Sequence, residues 1–88
     1  MPRSQTNSPD WSAFAPISPG EGPRTRAVYA ELRRLIETRR VAPGGKLPPT
    51  RELAARLKVA RGAVVAAYEQ LAAEGFVEAR QGAGTFVA

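Results

Sequence analysis

Residues 50–75 have the sequence TRELAARLKVARGAVVAAYEQLAAEG, which contains two helical patterns separated by a three-residue break. The first pattern predicts a short helix over 51–57, with Thr50 as its N-terminal cap. A turn over 58–60 and a longer helix over 61–74 follow. Two helices joined by so short a turn are typical of a helix-turn-helix, in which the second helix enters the major groove of DNA.

The apolar residues of both helices recur at helical spacing, so one side of each helix is expected to face a core. These residues are Leu53, Ala54, Leu57, Val64, Ala67, Tyr68 and Leu71. Gly75 comes directly after the second pattern, where a left-handed residue commonly ends a helix. The first helix has only two turns and therefore needs tertiary support.

Toward the N-terminus, an amphipathic helix is predicted from Arg24 to about Thr38–Arg40, with Val28, Leu32, Leu35 and Ile36 on its inner side. Proline and paired glycines at 43–45 end that helix, and residues 46–49 are expected to form an extended strand or loop.

Toward the C-terminus, residues 76–80 and 85–88 are rich in strand-forming residues and are joined by a glycine-bearing connection. This pattern predicts a β-hairpin. The fold class is therefore mostly α with a small β-hairpin, a winged helix-turn-helix of three helices plus a wing, over residues 24–88.

Residues 1–23 contain five of the eight prolines and are predicted to form a disordered N-terminal tail. Trp11, Phe14 and Ile17 are the exception, because their spacing suits one turn docked on the domain or on a partner. The alternative is that they are isolated hydrophobic residues in a flexible tail.

Charge is unevenly distributed: residues 1–23 have a net charge of −1, residues 24–88 a net charge of +6. A basic domain favours a polyanionic partner, nucleic acid above all, over a merely arginine-rich soluble surface. The sequence has no cysteine and no histidine, so disulfides, Cys/His metal sites and the commonest general base are excluded. We expect neither an enzyme nor a membrane protein, and a cytoplasmic location.

On the helix over 61–74, the solvent face near the N-terminal end is predicted to carry Arg61, Gly62 and Val65, with Ala66 and Glu69 beside them. Arg61 is the long hydrogen-bond donor of this face. It is therefore the leading candidate for a base or phosphate contact.

Four motifs in this order resemble the DNA-binding domain of the GntR family of bacterial transcription regulators, over residues 26–88. They are Leu47-Pro48-Pro49-Thr50-Arg51-Glu52-Leu53-Ala54, Leu57-Lys58-Val59-Ala60-Arg61, Tyr68-Glu69-Gln70-Leu71-Ala72-Ala73-Glu74-Gly75-Phe76, and Arg80-Gln81-Gly82-Ala83-Gly84-Thr85-Phe86-Val87. The second half of the domain is most similar to the MocR/PdxR-like subgroup.

The resemblance implies that Arg51 holds a backbone phosphate, that Arg61 contacts phosphate or a base edge, and that the wing over 80–85 meets the minor groove or backbone. The full candidate set for DNA contact is Thr50, Arg51, Arg61, Gly62, Val65, Arg80, Gln81, Gly82 and Thr85. The alternatives are a solvated Arg51, an Arg80 that pairs across the hairpin near Glu78, and glycines that only form a turn.

Three positions depart from the family pattern, which usually has glycine at Lys58, a hydroxyl residue at Ala60 and often another near Ala63. A left-handed Lys58 costs about 1 kcal/mol relative to glycine. A missing cap at Ala60 costs about as much. Alanine at 63 is expected to remove a phosphate contact.

The resemblance implies sequence-specific binding of a double-stranded DNA operator by the N-terminal domain of a transcription regulator, a homodimer in its native form. This chain alone is expected to be mainly monomeric and to hold no cofactor. Pyridoxal phosphate is expected in a following aminotransferase-like domain, outside this chain. The rival hypothesis is a winged-helix protein–protein interaction module, which should expose an apolar patch in place of arginines.

Overall fold

The computed structural model describes residues 24–88, in which three helices are followed by a two-stranded antiparallel hairpin. The elements are α1 (Thr25–Glu37), α2 (Thr50–Leu57), α3 (Arg61–Ala73), β1 (Val77–Arg80) and β2 (Gly84–Val87). This order confirms the winged helix-turn-helix. The predicted tail, with Trp11, Phe14 and Ile17, lies outside the described residues. Within 24–88, no helix has the length and apolar character needed to cross a bilayer.

The core lies between the three helices and the inner side of the hairpin. Every predicted core residue of α2 and α3 is buried, and so are Val28, Leu32 and Leu35 of α1. Val77 and Val87 bring the hairpin into the same cluster, while Ile36 packs against it half-buried. Burying one such side chain contributes about 1.5–3 kcal/mol, so this shared cluster holds the helix pair and the wing together.

A residue in the left-handed region follows each of the three helices, directly after α2 and one residue further on after α1 and α3. These residues are Arg39 (φ 61°), Lys58 (φ 58°) and Gly75 (φ 84°). After Lys58, the Val59 N–H donates to the Ala54 carbonyl at 3.0 Å, a bond that closes the last turn of α2. Lys58 thus has the left-handed backbone whose cost was considered above, and it turns the chain sharply enough for α3 to begin at Arg61.

Residues 44–47 lie along the free side of β2 and tie the wing to the helices. Gly44 N–H donates to Val87 O, Val87 N–H donates to Gly45 O and Leu47 N–H donates to Thr85 O, each at 2.8 Å. Lys46 also forms an isolated antiparallel bridge with Phe86. The segment predicted as an extended strand or loop therefore begins with residues that are hydrogen-bonded to β2 like a short third strand of the wing.

The predicted capping role of Thr50 is wrong. The N-cap residue of α2 is Pro49, whose carbonyl accepts the Leu53 N–H at 3.0 Å, and no side chain caps the helix. Thr50 is already inside the first turn, so its hydroxyl is available to another element. The strand predicted from Phe76 begins one residue later, because the Phe76 N–H closes the end of α3 on Leu71 O at 2.9 Å.

Candidate nucleic-acid interface

The N-terminal ends of α2 and α3 lie side by side. Arg61 Nε, on the first residue of α3, donates a hydrogen bond to Thr50 Oγ1, on the first residue of α2, at 3.1 Å. Helix N-termini carry unpaired N–H groups and a partial positive charge. Two such ends on one surface, with an arginine between them, favour an anionic ligand.

A shallow groove surrounds this hydrogen bond. Its lining residues are Pro49, Thr50, Arg51, Glu52, Ala55 and Arg61. Arg51 and Arg61 are both exposed, while Thr50 is half-buried. The structure therefore brings three of the sequence-predicted DNA contacts, Thr50, Arg51 and Arg61, to one groove.

Near the N-terminal end of α3, the outward face beyond Arg61 consists of small and apolar residues, and the exposed Glu69 follows further along the helix. Gly62 is exposed with open space around its Cα, and Val65 and Ala66 are half-buried. A smooth face of this kind lets the helix backbone approach a groove closely, with Arg61 as the cation of α3. Ala63 is only 7% exposed, so it adds no side chain to this outward face.

The wing has an outer and an inner face. Cross-strand pairing joins Glu78 to Phe86 and Val77 to Val87, and the two valines are buried. Arg80 stacks on the Phe86 ring, with its guanidinium carbon 4.4 Å from the ring centroid, and donates from Nη2 to Glu78 Oε1 at 3.2 Å. Arg80 thus pairs with Glu78 itself, but an exposed pair of this kind contributes little and leaves the guanidinium accessible.

The tip of the wing is an exposed turn. Ala83 N–H donates to Arg80 O at 2.9 Å, and Gly82 has φ +79°, a conformation that side chains disfavour. Gln81 and Gly82 are both exposed. Thr85 is half-buried and alternates with Phe86 along β2, so it lies on the face opposite Arg80.

The candidate residues thus form a helix group and a wing group. The helix group is Thr50, Arg51, Arg61, Gly62 and Val65; the wing group is Arg80, Gln81 and Gly82, with Thr85 behind them. One further cation, Lys46, was missed by the sequence reasoning. Its Nζ lies 6.0 Å from the centroid of the Phe86 ring. The available signal was the extended segment predicted over 46–49, but its partner strand was not predictable from local pattern.

Two tyrosines hold the helices that carry the groove. Tyr68 is buried and donates from its hydroxyl to Pro48 O at 2.6 Å, which fixes α3 to the residues just before α2. Burial, and then the nearby negative charge of Glu52, raises the pKa of Tyr68. At the other end of α3, Tyr29 of α1 donates to the Glu74 carboxylate, and this hydrogen bond raises the pKa of Tyr29.

Comparison with known proteins places these features in a family. The sequence profile described as bacterial regulatory proteins, gntR family, matches residues 24–87. The chain is 44% identical over 57 residues to the HTH-type pyridoxine biosynthesis transcriptional regulator PdxR of Corynebacterium glutamicum. It is 42% identical over 66 residues to the probable rhizopine catabolism regulatory protein MocR of Rhizobium meliloti. These alignments cover 65% and 75% of this chain but 13% of each relative.

Several solved structures of DNA-binding regulators superpose on this domain. The DNA-binding domain of AraR in complex with operator ORR3 superposes with a TM-score of 0.71 at 29% identity, covering 84% of this chain and 90% of that one. The same domain with operator ORX1 has a TM-score of 0.71 at 31% identity, covering 84% and 89%. Streptococcus agalactiae GntR has a TM-score of 0.63 at 36% identity, covering 73% of this chain and 31% of that chain.

Proposed function

This chain belongs to the GntR family of bacterial regulatory proteins and carries the DNA-binding domain of a transcription regulator, and we propose that α3 occupies the major groove of its operator while the wing meets the adjacent minor groove or backbone. The observation that carries the proposal is the Arg61–Thr50 hydrogen bond. It holds the N-terminal ends of α2 and α3 in one surface, so a single approach of the domain presents both ends to a duplex.

Four residues of the helix group have proposed DNA contacts that follow from their positions. Arg61 contacts a base edge or the phosphate beside it, because it is the exposed cation at the start of α3. Arg51, exposed in the first turn of α2, holds a backbone phosphate. Gly62 and Val65 let the helix approach closely, and the Val65 side chain suits a thymine methyl group.

The wing residues supply contacts that do not depend on base identity. Arg80 offers an accessible guanidinium, and the exposed Gln81 and Gly82 offer a side-chain amide and a backbone that approaches closely. Thr85, on the opposite face, contacts the DNA sugar–phosphate backbone beside the groove that α3 occupies. These contacts position the domain along the duplex, while α3 supplies sequence discrimination.

The binding test is fluorescence anisotropy of this chain with two labelled duplexes, one from upstream of its own gene and one of the same base composition in shuffled order. We expect tighter binding to the upstream duplex, and about four phosphate contacts predict a slope of about −3.6 in log affinity against log salt. Equal binding to both duplexes would argue against sequence recognition. Lack of binding to either duplex at low salt would favour a protein partner.

For the native regulator we propose a homodimer that places two such domains on a two-fold operator, because one short helix contacts few base pairs. This chain alone is proposed to be mainly monomeric at micromolar concentration. Light scattering that gives a stable dimer of residues 1–88 would contradict this. The domain is proposed to act by binding rather than catalysis, in the bacterial cytoplasm at the nucleoid.

We also propose that the native protein continues into an aminotransferase-like domain that binds pyridoxal phosphate. The proposal is supported by the similarity to PdxR and MocR, of whose length the chain spans 13%. In such a protein the cofactor belongs to the second domain, and residues 24–88 serve DNA binding. Sequencing the gene beyond codon 88, and an absorbance spectrum of the full-length protein with added pyridoxal phosphate, test this organisation.

A further inference from the structure

We propose that Lys46 completes a phosphate-binding site on the outer face of the wing, where it acts together with Arg80. This inference rests on the proposed DNA-binding function and adds a contact residue that neither the motifs nor the helix-turn-helix geometry assigns. The ligand is a backbone phosphate of duplex DNA.

Strand pairing puts the two cations on the same face. Lys46 bridges Phe86 on one side of β2, and Phe86 pairs with Glu78 of β1 on the other side. Directly paired residues of antiparallel strands project to the same side, and Arg80, two positions after Glu78, projects there as well. Lys46, Phe86 and Arg80 therefore share the face opposite the buried Val77 and Val87.

The Lys46 side chain extends along this face toward the wing tip. Its Cε lies 2.8 Å, and its Nζ 3.6 Å, from the position that a Cβ on residue 84 would take. Gly84 is the cross-strand partner of Arg80. The absence of a side chain at Gly84 thus makes room for the lysine stem, and the ammonium ends beside the strand position paired with Arg80.

The charge balance of this face favours an anion. Lys46 and Arg80 both lie on it with one carboxylate, Glu78, which pairs with Arg80 at 3.2 Å, so the face carries a net positive charge. A phosphate that binds there accepts charge-assisted hydrogen bonds from the two cations. The Phe86 ring holds both cations through cation–π contacts, so less side-chain freedom is lost when phosphate binds.

The test compares Lys46→Met with the wild-type chain and with Arg26→Ala on the shuffled duplex and on the upstream duplex. Methionine keeps an unbranched stem against Phe86 and removes the charge. Arg26 is a matched control, because it is an exposed cation on α1 that lines a separate groove with Gln70 of α3. Thermal unfolding of each variant establishes that the wing remains folded.

We expect Lys46→Met to weaken binding to both duplexes by the same factor and to reduce the magnitude of the salt slope by about 0.9, the value for one phosphate contact. Arg26→Ala should leave the slope unchanged, and Lys46→Arg should retain it. If the wild-type chain binds DNA and Lys46→Met has the wild-type salt slope, the proposed phosphate contact of Lys46 is wrong, while the DNA-binding function stands. If the wild-type chain binds neither duplex, the function itself fails.

Discussion

Arg61 Nε donates a hydrogen bond to Thr50 Oγ1 across eleven residues of sequence, joining the first turn of α3 to the first turn of α2. With Nε engaged by threonine, a bidentate contact of the guanidinium is made by its two terminal amino groups. Such a fork matches guanine O6 and N7, or two phosphate oxygens. We therefore propose that Thr50 positions Arg61 for DNA contact, in place of the predicted helix cap.

Changing Thr50→Val should weaken specific binding by about 1 kcal/mol, roughly a fivefold rise in Kd, because valine has the shape of threonine without the hydroxyl that orients Arg61. Anisotropy titration with the upstream duplex measures the change. Thr50→Ser keeps a hydroxyl and should bind nearly as the wild type does. Equal Kd values for the valine and wild-type chains would remove Thr50 from the positioning role.

Changing Arg61→Ala should cost about 1–3 kcal/mol in binding to the upstream duplex and relax the preference at one base pair. The shuffled duplex should be affected less, because base contacts contribute little to non-specific binding. A panel of single base-pair substitutions in the upstream duplex measures the preference. An identical loss on both duplexes would mean that Arg61 contacts phosphate alone.

Changing Lys58→Gly should stabilise the domain by about 1 kcal/mol, because Lys58 has φ 58° and ψ 46°, a left-handed conformation that costs a residue with a side chain. For a domain of this size the gain corresponds to a rise in Tm of about 4–8 °C, measured by circular dichroism. Arg56→Gly, inside α2, is the matched control and should lower Tm. A lower Tm for Lys58→Gly would contradict the conformational argument.

Changing Ala60→Ser should stabilise α3 by about 1 kcal/mol. Ala60 is the N-cap residue, with φ −65° and ψ 142°, and makes no side-chain capping bond. A serine hydroxyl in that conformation accepts a hydrogen bond from an unpaired N–H of the first turn. Urea unfolding measures the gain. The exposed Ala72→Ser, near the end of α3, has no such donor to cap and should be neutral or destabilising.

Both tyrosines of the protein should ionise at higher pH than free tyrosine in an alkaline titration monitored by tyrosinate absorbance. The hydrogen bond to Glu74 raises the pKa of Tyr29, and burial raises that of Tyr68. A raised folded-state pKa means that the associated stability is present below the ordinary phenol value of about 10 and is lost as pH rises through the folded-state value. Glu74→Gln should let one tyrosine ionise earlier, and an unchanged titration curve would contradict the Tyr29–Glu74 link.

Local pattern was sufficient for most of the fold, because helix periodicity and helix ends depend on neighbouring residues. The buried faces of α2 and α3 and the helix end at Gly75 follow from spacing and backbone preference, whereas a left-handed Lys58 was suggested only by the resemblance to a family that usually has glycine there. The hairpin and its glycine-bearing turn were predicted for the same reason. The choice of Arg61 as an exposed cation needed only the helix face, while Arg80 was a candidate through the family resemblance, and both are exposed.

Element order, the core residues of α2 and α3, and the basic charge of this domain thus follow from the amino-acid sequence, since helix and strand patterns depend on residues within a few positions of one another. The contacts of Thr50 and Lys46 depend instead on tertiary packing. Thr50 meets Arg61 instead of capping α2, and Lys46 lies beside Phe86, forty residues away. Such contacts are set by how the burial of one shared core brings distant segments together, and a local pattern carries no information about that packing.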